Sequence, residues 1–71
     1  MTELSKLWLI DLLENEMKET LDNIKNHKVW LKGCTSSYEI VMTEDNIQHL
    51  YNYHETLNNL KERIEECETN V

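Results

Sequence analysis

Proline is absent from this chain of 71 residues, and its one glycine stands at position 33, near the middle. Sheets need turns, and turns are built largely from Gly, Pro, Asn and Asp, so a chain this poor in Gly and Pro is confined to long uninterrupted elements. Ten leucines and eleven glutamates, both good helix formers, make those elements helices. The expected fold class is all-α, an antiparallel hairpin of two long helices in a single domain.

The first helix is expected from about residue 3 to about 31. Apolar side chains fall at Leu4, Leu7, Ile10, Leu13, Met17, Leu21, Ile24 and Leu31, with Lys28 as a charged intruder, in the steps of three and four that mark one helix face. Thr2 or Ser5 can cap its start. Carboxylates at Asp11, Glu14, Glu16 and Glu19 precede Lys25, Lys28 and Lys32, the order that the helix dipole favours. Gly33 is expected to end the helix in the left-handed conformation that a C-cap uses.

Residues 33 to about 42 read as the connection. Cys34 to Ser37 are small and polar, and Tyr38 to Met42 are rich in β-formers. Thr43 is a natural N-cap for a second helix over about 44 to 69, with Glu44 and Asp45 in its first turn, although Asn46 departs from a full capping box. That helix carries an unbroken stripe, Leu50, Tyr53, Leu57, Leu60, Ile64, Cys67 and Val71, alternating steps of three and four as coiled coils do.

A lone hairpin leaves part of each stripe uncovered, so the expected remedy is a homodimer that closes a four-helix bundle. Trp8 and Leu12 lie about 100° away from the first stripe and make a second apolar patch. The expected dimer interface is Trp8, Leu12, Leu50, Tyr53, Leu57, Leu60 and Ile64. The expected surface for another protein is the connection end, with Tyr38, Ile40, Met42, Ile47, Tyr51 and His54, because connections and tyrosines are over-represented at binding sites. The competing use of Tyr38, Ile40 and Met42 is as a lid over Trp30 and Leu31.

Several chemistries find no support. His49 and His54 are five residues apart, about 140° around a helix, where a shared metal needs spacings of three or four. No Glu-x-x-His pair occurs, and no cofactor is expected. Cys34 belongs to the connection end and Cys67 to the terminal end, too far apart for a bridge, so reduced thiols and a cytosolic setting are expected. There is no phosphate-binding Gly loop and no nucleophile elbow, so an enzyme is not expected. No apolar run is long enough for a membrane span, and none has the form of a signal peptide.

The formal net charge is −7, which disfavours direct nucleic-acid binding. It is unevenly spread: residues 1–22 carry −4, residues 23–33 carry +3 and residues 34–71 carry −6. In an antiparallel hairpin the carboxylates of both chain halves collect at one end. The expected function is a small cytosolic protein-binding module acting as inhibitor, adaptor or regulator through a helical dimer. The excess of Lys over Arg and the eight asparagines point to an A+T-rich source such as a low-GC bacterium or its phages. A mimic of DNA phosphates and a purely structural assembly unit are the alternatives.

Overall fold

The computed structural model describes residues 2–67 and consists of two helices, α1 over Glu3–Lys32 and α2 over Ser37–Glu66, with no strand among the described residues. They pack against each other as an antiparallel hairpin. At about 1.5 Å per residue each is about 45 Å long. The all-α hairpin expected from the sequence is the observed fold.

Thr2 caps α1 through its hydroxyl oxygen, which accepts from the Ser5 amide at 3.2 Å. The other end departs from expectation. Gly33 has φ −92°, not a left-handed conformation. Its amide donates to the Trp30 carbonyl at 3.0 Å and that of Cys34 to the Leu31 carbonyl at 3.1 Å, so the helix closes by tightening its last turn. A Cβ at Gly33 would meet only the Trp30 carbonyl oxygen, at an ordinary 3.6 Å.

The connection is shorter than the sequence suggests. It occupies only Gly33 to Ser36, and α2 begins at Ser37 rather than at 44. Ser36, not Thr43, is its N-cap, with the Ile40 amide donating to the Ser36 carbonyl at 3.0 Å. Thr43 is buried inside the helix. Ile40 and Thr43 extend the inward-facing spacing of α2 back toward its start, and that packing outweighs the weak β-preference of Tyr38 to Met42. The expected end near 69 and Val71 lie outside the described residues.

Between the helices runs a seam with a regular heptad. From α1 it takes Lys6, Ile10, Leu13, Met17, Thr20, Ile24, His27 and Leu31, and from α2 Ile40, Thr43, Ile47, Leu50, His54, Leu57, Lys61 and Ile64, all buried or half-buried. Thr20, Ile24, Thr43 and Leu57 are the deepest, at 2%, 3%, 5% and 5% exposed. Thr20 satisfies its hydroxyl by donating to the Glu16 carbonyl at 2.7 Å.

This seam is rotated from the expected one. On α1 the inner positions are Thr20 and His27 instead of Leu21 and Lys28, and Leu4 and Leu7 are exposed. On α2, Leu50, Leu57 and Ile64 are inward as expected, whereas Tyr53, Leu60 and Cys67 are exposed. Two rows flank the Leu50, Leu57, Ile64 line at about 60° on either side. The row through Ile47, His54 and Lys61 is the inner one. Its continuation into Ile40 supplies a β-branched side chain where the opposite row offers Glu39 and Asn46.

The result is long and thin. The Cα radius of gyration is 16.4 Å, against about 11 Å for a compact chain of this length. The accessible surface is 5564 Å², against about 4,700 Å² expected at this mass.

Candidate functional site

The hairpin has two broad sides, and they differ in chemistry. One is aromatic. Near the connection Trp30 of α1 faces Tyr38 and Met42 of α2 across a concavity of about 460 Å³, with Asn26, His27, Glu39, Thr43 and Asn46 around it. Tyr38 is 73% exposed, and Trp30 is also open to solvent. Leu12 precedes Trp30 by eighteen residues and Leu60 follows Met42 by eighteen, about five whole turns in each case, so both continue this side toward the termini. Between them Tyr53 donates its hydroxyl to Glu16 Oε1 at 3.3 Å. Desolvation and the neighbouring Glu16 carboxylate, charge and hydrogen bond together, push the Tyr53 phenol above its ordinary pKa.

The other side is charged. Leu21, Lys25, Lys28, Val29 and Lys32 of α1 surround Tyr51 of α2 at a concavity of about 410 Å³. Lys28 donates to the Tyr51 hydroxyl and stands 5.1 Å from the ring centroid, at the hydroxyl edge of the ring. Toward the termini, Lys61 pairs with Glu14 at 3.1 Å and with Glu65 at 3.6 Å. The hydrogen bond and charge of Glu14, helped by Glu65 and opposed by desolvation, raise the Lys61 pKa.

At the terminal end Lys6 Nζ donates to the carbonyls of Glu65 at 2.8 Å and Cys67 at 3.1 Å, capping the end of α2. Two lysines therefore stand among the carboxylates that collect there.

The residues proposed for docking separate into three places. Tyr38 and Met42 lie open on the aromatic side and Tyr51 on the charged side, whereas Ile47 is buried and Ile40 and His54 are half-buried in the seam. Tyr38 and Met42 do stand opposite Trp30, as a lid would, but from the first turns of α2 rather than from a loop. The residues proposed for dimerisation divide as well. Leu50, Leu57 and Ile64 serve the hairpin's own seam, while Leu12, Tyr53 and Leu60 remain available on the aromatic side. Trp8 is 62% exposed and lies on the back of α1, away from α2. Trp30 and His27 complete the aromatic concavity and were not in either set. Trp30 comes eight residues before Tyr38 across what proves to be a tight connection, and that separation is the signal that could have found it.

Cys34 and Cys67 are free thiols. Desolvation and Glu39 hold the Cys34 thiol above its usual pKa, which keeps it protonated and unreactive. Among the described residues no group of three or more His, Cys, Asp or Glu is placed to hold a metal ion, and no helix is long and apolar enough to cross a membrane. No family model, curated protein or solved structure matches the chain.

Proposed function

We propose that this chain is a protein-binding module that acts as an inhibitor, adaptor or regulator, working as a helical dimer whose aromatic side receives the target. The single observation that supports this reading is an imbalance of apolar surface. Among the described residues Ile24, Ile47 and Leu57 are the buried hydrophobic ones, while thirteen large ones are exposed, both tryptophans and all three tyrosines among them. Two of these aromatics, Trp30 and Tyr38, face each other across a groove between the helices, which suits a target that lays the apolar face of a helix into it. The action is binding rather than catalysis, and reduced thiols at Cys34 and Cys67 suit a cytosolic setting.

The test compares stability with capture. Trp30→Ala and Tyr38→Ala should leave the thermal melt intact and weaken retention of the target from host lysate, and retention should survive high salt because the contact is apolar. A lowered melt in both variants would mean that these side chains close the hairpin's own end. Retention lost at high salt would instead favour mimicry of DNA phosphates.

A further inference from the structure

We propose that a second copy of this chain covers the charged side of the hairpin, lying antiparallel to the first, with Leu21 and Tyr51 beside the two-fold axis. This rests on the dimer reading above and adds its face, direction and register.

The pattern that carries it lies on one line along α1. From Leu7 the exposed positions in steps of four and three carry acids in the first half, Asp11 and Glu14, and bases in the second, Lys25 and Lys28, with Lys18 and Leu21 between. Lys32 ends the line. Turning a second copy end over end about an axis midway between Lys18 and Leu21 brings Asp11 against Lys28 of that copy and Glu14 against its Lys25. Symmetry repeats both pairs on the other side of the axis. The same operation lays the stem of Lys18 over Leu21 and that of Lys32 over Leu7, an arrangement that lysine stems favour.

Tyr51 shares its concavity with Leu21, so α2 adds an aromatic ring near the axis. Along α1 the contact thus has an apolar centre and a rim of opposite charges. The other symmetric pairing, with both connections at one end, gathers the lysines of both copies together and their carboxylates together. The size also fits: a face about 45 Å by 20 Å can bury about 800 Å² per partner, the standard class of stable interface. The aromatic grooves then lie on the two outer sides of the dimer, open to targets.

Charge exchange tests it. Sedimentation equilibrium in reductant at low salt would be run on wild type, Asp11→Lys, Lys28→Asp and the double variant, with circular-dichroism melts to verify folding. Both side chains lie outside the seam, and because Lys28 bonds the Tyr51 hydroxyl across the helices, the melts separate the loss of that bond from the change in dimer affinity. Each single variant should weaken the dimer roughly tenfold, the scale of reversing two exposed ion pairs, and the double variant should restore wild-type affinity. Single variants that weaken without restoration would overturn the antiparallel register. A dimer indifferent to all three variants would overturn the choice of face while leaving the dimer reading standing. A wild type that stays monomeric would overturn both.

Discussion

The seam and the aromatic side invert the usual allocation of residues. The seam holds Thr20, Thr43, His27, His54, Lys6 and Lys61 among its heptad positions, whereas Trp8, Trp30, Tyr38 and Tyr53 stand outside it. A hairpin built only for its own stability would place its largest apolar side chains between the helices, where burial contributes most. The inversion teaches that most of the large apolar side chains add nothing to the contact between the helices, and that the fold rests on a few aliphatic contacts in a narrow line.

The largest expected effect breaks the seam. Leu57→Ala should cost about 2–5 kcal/mol, the usual range for removing a buried leucine side chain. Leu60→Ala, at a position 42% exposed, should cost well under half as much. Equal losses measured by urea denaturation would place the seam on the other row of α2.

The comparison sharpens when a polar seam position is made apolar. Thr20→Val should raise stability by about 1 kcal/mol, because it buries another methyl and removes a hydroxyl whose bond to the Glu16 carbonyl does not favour the helix. A lowered urea midpoint would mean that this bond holds the seam together. Gly33→Ala comes next: its backbone is ordinary and its Cβ would have room. It should stabilise by about 0.4–1 kcal/mol by restricting the unfolded chain, a gain that thermal melts can read.

The smallest effect is alkaline. Lys61 and Tyr53 both have raised pKa values in the folded chain. Each therefore favours the folded state below its ordinary value, about 10.4 for Lys and about 10 for Tyr, and the contribution is lost as pH rises through the higher folded value. Melting temperature should stay level from neutral pH to about 9.5 and fall above about 10. Lys61→Met and Tyr53→Phe should each flatten that fall, and an unchanged alkaline slope in both would remove these groups from the account.

The hairpin was legible in the sequence because Gly33 and the missing prolines leave few other places to turn, and because the charge order and Thr2 mark where α1 starts. The start of α2 was not, since Tyr38 to Met42 have a strand-like composition that only packing through Ile40 and Thr43 overrides. The seam was legible as a line but not as a rotation. Leu50, Leu57 and Ile64 belong to two overlapping stripes, and choosing between them takes the partner helix. That choice decided the proposed docking set: the row taken inward carried Ile40, Ile47 and His54 with it and left Tyr38, Met42 and Tyr51 outside.

The central claim, that surface outside the seam brings two copies of this chain together, is tested most directly by sedimentation equilibrium of the wild-type chain over the micromolar range. The account predicts a folded species of twice 8.5 kDa that dissociates on dilution and on added salt. A folded species at 8.5 kDa throughout that range would contradict it.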